Sequence, residues 1–186
     1  MKKSRKILIG ILICVIIGSV FYIGYYYITQ NKNEKVYKKL QKEVVKQESK
    51  EEEPQTEESH VEIPIDFAQL QAQNPDIYAW IRIADTPIDY PILQSKIDDD
   101  YYMDHTVDDK EGLPGAIMTE YSYNPDAFES DAVTVVYGHN MLNDSFFSRL
   151  KDYQNETFRN EHPYIEIYTP EHIYQYRVFA AVTYDN

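Results

Sequence analysis

Thr134-Val135-Val136-Tyr137-Gly138-His139-Asn140-Met141 is a β-branched run that stops at a glycine and sets a histidine at its end. Val133 to Tyr137 has the β-branched and aromatic make-up of a strand, with apolar residues on both pleat faces. That pattern predicts a central strand, buried on two sides. Gly138 lets the backbone bend without a Cβ clash, and Asn140 with Asn143-Asp144-Ser145 reads as loop. His139 then stands at the rim of a core strand. An imidazole held at a rigid strand end and open to a cleft is a common mount for an acid or base. A histidine in an ordinary turn is the plainer reading of the same residue.

Working outward, the region on either side reads as short strands and short helices. Phe67 to Ala72, closed by Asn74-Pro75-Asp76, predicts a short helix, and Tyr78 to Ile83 a strand carrying the only Trp, Trp80, into the core. Asp85-Thr86-Pro87 is a turn, and Ile88 to Leu93 pairs back as a hairpin, with Pro91 suggesting an edge or a strand start. Asp99 to His105 is a helical turn, and Gly112-Leu113-Pro114-Gly115 leads into a third strand, Ala116 to Thr119. Beyond the organising run, Phe146 to Leu150 with Tyr153 has helical spacing and Thr157 to His162 forms a further turn. Tyr164 to Tyr168 and Ile173 to Thr183 alternate as two more strands. About six strands with short helices and no β-α-β alternation predict a mostly β fold, a barrel rather than an open sheet.

The first 64 residues are of a different kind. Lys2, Lys3, Arg5 and Lys6 precede an uncharged Ile-, Val- and Leu-rich run from Ile7 to Ile28, which meets the roughly 20 residues a spanning helix needs. Tyr22 and Tyr25-Tyr26-Tyr27 fall at its far end, where aromatic rings favour the headgroup zone. The run exceeds a signal-peptide h-region and no A-x-A-like site closes it, so it reads as an uncleaved anchor. The division is then residues 1–6 as a basic cytoplasmic start, 7–28 as a transmembrane helix, 29–64 as a charged stalk and linker, and 65–186 as an extracellular domain. Within the stalk, Val36, Leu40 and Val44 at i, i+4, i+8 give a solvated helix with a narrow apolar stripe. The Glu-rich stretch Glu48 to Glu58 reads as flexible linker.

Charge and cysteine usage exclude several classes. From Val61 onward 23 Asp and Glu face seven Lys and Arg, a balance of −16, which argues against nucleic acid as a partner. Asp98-Asp99-Asp100 and Asp108-Asp109 lack the spaced ligands and glycine of a calcium loop. Neither a metal-ligand cluster nor a phosphate loop is present, so no metal and no cofactor is predicted. The single Cys, Cys14, lies inside the apolar run. It provides neither a disulfide nor a thiol for an extracellular site.

Seven segments in order carry a resemblance: A-W-I-R-I (Ala79 to Ile83), I-D-Y-P-I-L-Q (Ile88 to Gln94), D-Y-Y-M-D-H (Asp100 to His105), G-A-I-M (Gly115 to Met118), T-V-V-Y-G-H-N-M (Thr134 to Met141), F-F-S-R-L (Phe146 to Leu150) and Y-x-Y-x-V-F-A (Tyr174 to Ala180). Together they resemble a class B sortase of Gram-positive bacteria, from about Phe67 to the last residue. The resemblance implies an eight-stranded β-barrel, of which strands one to six fall here, facing outward from the cell membrane.

It also implies a cysteine transpeptidase. Such an enzyme cleaves a C-terminal sorting signal, a short Pro-x-Thr-containing motif, on surface proteins and joins them to a peptidoglycan amine. Of the family's Cys, His and Arg, only the His is matched, by His139, which protonates the leaving amine and deprotonates the incoming one. Asp99 and Met103 align with positions lining the sorting-signal groove. The Cys belongs to a T-L-x-T-C-type motif on strand seven and the Arg to strand eight. Neither is among these 186 residues, so the chain is expected to be truncated and inactive alone, and marginal in folding where strand seven would lie beside Val133 to Tyr137. A partner-completed enzyme and a non-catalytic peptide-binding module stay open as alternatives.

Overall fold

The computed structural model describes residues 2–44 and 62–184. The Glu48 to Glu58 linker lies outside the described residues. The chain forms two compact units, Met1–Lys35 and Val36–Asn186. The first is carried by helix α1 (Lys2–Val44), on which Ile7, Leu8, Ile11, Val15, Val20 and Phe21 are all exposed. This apolar surface is not buried against the rest of the described chain. It is long and apolar enough to cross a bilayer.

The second unit is a single sheet with short helices around it. Its elements are α2 (Phe67–Gln73), β1 (Ile77–Arg82), β2 (Asp89–Leu93), α3 (Tyr101–Asp104), β3 (Ile117–Met118), a 3₁₀ helix (Phe147–Gln154), α4 (Glu156–Glu161), β4 (Tyr164–Tyr168) and β5 (Ile173–Arg177). The strand order is β3-β2-β1-β4-β5; β3 runs parallel to β2 and all other pairs are antiparallel. Trp80, Ile77, Ile92, Leu93 and Ile117 are fully buried at its centre. Asp66 caps α2 by accepting from the Gln69 N–H at 3.0 Å, the usual device for an orphan donor in the first turn.

The five-stranded, non-closed sheet with short helices agrees with the mostly β fold expected from the sequence. Several finer expectations are corrected. Val133 to Tyr137 is not a central strand: its one ladder contact is the bridge between Tyr137 and Met118. Val133 is 72% exposed. The segment is extended, but a strand needs neighbours, and on its inner side the neighbour is mostly one side chain. Asn124 donates from Nδ2 to the Val133 carbonyl at 2.6 Å and accepts at Oδ1 from the Val135 N–H at 3.0 Å. A side-chain amide carries the same donor and acceptor as a peptide, so it ends the pairing where a strand would have continued it. On the outer side, the N–H groups of Thr134 and Val136 have no backbone partner among the described residues.

Pro91 lies inside the sheet, opposite Trp80. The Ile83 N–H donates to the Ile88 carbonyl and the Thr119 N–H to the Leu93 carbonyl, so alternation turns Pro91's missing donor away from β1. There β3 pairs only with Ile92 and Leu93, and no ladder bond is lost. The strand expected from Ile173 to Thr183 ends at Arg177.

The apolar stripe of the stalk is not solvated. Tyr37, Leu40 and Val44 are buried in the core of the second unit. The Tyr37 ring packs edge-on against Tyr90 and Phe146, with centroids 5.6 and 5.0 Å away, and the Gln41 amide donates to the Asp89 carbonyl. The last two turns of α1 are thus part of the folded domain.

Candidate active site

His139 is fixed through three neighbours. Upstream, Tyr137 exchanges both backbone hydrogen bonds with Met118, at 2.8 and 3.0 Å. Gly138 follows, and a Cβ there would stand 2.5 Å from Ile117 Cδ1 and 2.6 Å from Phe147 Cδ2. Its role is therefore close packing over β3, rather than the sharp bend expected of it. Downstream, the Phe147 N–H donates to the His139 carbonyl at 3.1 Å. Phe146 adopts φ of +55°, a left-handed conformation that a bulky residue holds only when its surroundings impose it. Its ring stacks on Tyr90 and its N–H donates to the Tyr90 hydroxyl.

The imidazole itself reaches across to α3, where Nε2 lies 3.0 Å from the Met103 carbonyl oxygen. A carbonyl can only accept, so Nε2 carries the proton of this bond. The ring faces a cleft of about 430 Å³ lined by Asp100, Met103, Ala116, Met118, Glu120, Tyr137, Gly138 and His139. Most of that wall is apolar, with the Asp100 and Glu120 carboxylates as its acidic members. Burial and the adjacent Glu120 charge push the Tyr137 phenol upward, so it stays neutral and can donate.

Of the residues singled out from sequence, His139 and Met103 line the same cleft. Asp99 is not among the lining residues; its Oδ1 accepts from the Ser122 N–H at 3.1 Å. The hydrogen bonds from Ser122 hold its carboxyl below the ordinary range. Asp100, one residue on, takes the place at the cleft. Glu120, Tyr37 and Asn124 were not legible as site or support residues: Tyr37 acts on Gly115 78 residues away, and no spacing marks Asn124 against Val133 and Val135 or Glu120 at the cleft.

This arrangement has counterparts among known proteins. No family model matches the chain. Sortase B of Listeria monocytogenes is 38% identical over 120 residues, 64% of this chain and 48% of that protein. Sortase B of Staphylococcus aureus is 29% identical over 181 residues, 97% of this chain and 70% of that protein. The crystal structure of sortase B from Bacillus anthracis superposes with a TM-score of 0.67 at 30% identity, over 86% of this chain and 73% of that one. The chain belongs to the class B sortases. It spans about half the length of the Listeria relative. The extended stretch from Thr134 to Tyr137, whose Thr134 and Val136 N–H groups have no backbone partner among the described residues, leads directly to His139.

Proposed function

We propose that this chain is the anchored, His-bearing part of a class B sortase, a cysteine transpeptidase acting on C-terminal sorting signals outside the cell membrane. The observation that carries the reading is the His139 cleft, in which an imidazole hydrogen-bonded through Nε2 to the Met103 carbonyl faces a largely apolar wall. His139 acts as general acid toward the leaving amine and general base toward the incoming one. Met103 and Met118 form the apolar floor for the sorting motif, with Asp99, next to the cleft-lining Asp100, as the more distant contact. The acceptor is a peptidoglycan amine. Residues 7–28 hold the enzyme in the membrane, with the basic start in the cytoplasm.

The only Cys among the 186 residues is Cys14, within the apolar helix. Turnover therefore needs a nucleophile from a continuation of the chain or from a second chain, and these residues alone bind without cleaving. The test is to join the chain to the Cys- and Arg-bearing strands of a class B sortase and follow cleavage of a fluorogenic Pro-x-Thr-containing peptide. Cleavage is expected in the joined protein and not in the 186-residue chain, with His139→Ala lowering it by about 10²- to 10⁴-fold. A folded joined protein whose cleavage is indifferent to His139→Ala would overturn the assignment.

A further inference from the structure

The end of α3 carries an arrangement that the acid-base role of His139 does not by itself require. A helix terminus leaves carbonyls without intrahelical partners, and here three successive ones are all taken. The Tyr102 carbonyl accepts from the Ala116 N–H at 2.9 Å, and the Asp104 carbonyl from the Gly112 N–H. The Met103 carbonyl between them accepts from His139 Nε2 at 3.0 Å. The loop from Gly112 to Ala116 thus clasps the helix end on both sides of the carbonyl that meets the imidazole.

Gly115 sets how close that clasp lies. Its φ is +66°, and a Cβ there would stand 2.4 Å from the Met103 oxygen, 2.5 Å from the Tyr102 oxygen and 2.8 Å from the Met103 carbonyl carbon. All three are backbone atoms, so no rotamer change relieves the overlap; the Met103 carbonyl itself must move. Gly115 is in turn tied to the core, because the buried Tyr37 hydroxyl donates to its carbonyl at 3.1 Å. From the other side, the Tyr102 hydroxyl donates to Asp76 Oδ2 at 2.8 Å and anchors α3 to the start of β1.

We propose that the Met103 carbonyl, held in place by Gly115, fixes His139 in the Nε2–H tautomer, so that Nδ1 is the nitrogen that exchanges a proton during the reaction. The inference rests on the reading of His139 as general acid and base. The Nε2 proton stays on that nitrogen, donated to the Met103 carbonyl, throughout. Nδ1 takes a proton to form the imidazolium and returns one to regenerate the neutral ring, so the balance closes on a single nitrogen. Gly115 is a positioning residue, since it acts on His139 only through Met103.

The test is the tautomeric state of His139 in the full chain, labelled with ¹⁵N-histidine in lipid nanodiscs and read from long-range ¹H–¹⁵N spectra above the imidazole titration. His139→Gln identifies the signal. A single Nε2–H form is expected in the unaltered protein. Gly115→Ala should give a mixture of both tautomers, Tyr37→Phe a smaller change in the same direction, and Met103→Ala, which keeps the carbonyl, no change. An Nδ1–H form or a mixture in the unaltered protein would overturn the proposal, and so would a folded Gly115→Ala protein with an unaltered pattern. If Gly115→Ala does not fold, the unaltered spectrum and Tyr37→Phe still decide. Because no turnover is required, a failed cleavage assay with the Nε2–H form present would remove the functional reading alone.

Discussion

β1 and the extended stretch from Val133 to Tyr137 are alike in composition and opposite in outcome. Both are β-branched and aromatic, yet β1 pairs with β2 from Ile77 to Arg82 and with β4 from Trp80 to Arg82 and buries four of its six residues. The other stretch pairs with β3 at one residue and has an unpartnered outer side among the described residues. Composition reports what a segment can do in a sheet; the neighbours determine what it does. In this protein the difference falls beside His139, so the less paired of the two regions is the one that leads into the His139 cleft.

The contrast can be broken from either side. Trp80→Ala removes a fully buried ring whose Nε1 also donates to Asp89 Oδ1 at 2.7 Å, and should cost about 3–5 kcal/mol. Val133→Ala, at an exposed position, should cost within about 0.5 kcal/mol. Denaturant titrations in detergent micelles, followed by tyrosine near-ultraviolet circular dichroism, compare the two, and equal losses would contradict the account. Gly138→Ala should fall between them, at about 1–3 kcal/mol, because the added methyl overlaps Ile117 and Phe147; the same titration measures it.

A smaller effect concerns the flanks of the packed region. Asp108 is partly buried, which alone would raise its carboxyl, but hydrogen bonds from Lys110 and Thr106 and the Lys110 charge outweigh this and hold it below its ordinary value. Asp99 is lowered by Ser122. For both groups the folded state binds fewer protons than the unfolded chain near pH 4. Their contribution is therefore present above about that pH and is lost as pH falls through the depressed folded values. Asp108→Asn should flatten the acid limb of the stability profile more than Asp99→Asn, since Asp99 is the more exposed to solvent screening.

Much of the second unit was legible from local pattern. The hairpin from Tyr78 to Leu93, the turn ahead of His105 and the strand at Tyr164 were read from alternation and turn residues, because those signals act over a few positions. The ordered segments around His139 also pointed to the family. What escaped was whatever depends on distant partners. Asn124 stands in for a strand through one amide, and no spacing marks it. Tyr37 sits among lysines in what reads as a stalk, yet its ring and hydroxyl enter the core 78 residues away at Gly115. Gly115 looked like one member of a loop, although its missing Cβ lets that loop close on Met103.

The measurement that tests the central claim most directly is residue-resolved amide hydrogen exchange from Val133 to His139 in the 186-residue chain. An edge held from one side predicts alternation. Val135 and Tyr137, whose N–H groups donate to Asn124 Oδ1 and the Met118 carbonyl, should be protected, while Thr134 and Val136 exchange quickly. Uniform protection along the segment would show a strand paired on both sides and would contradict the account.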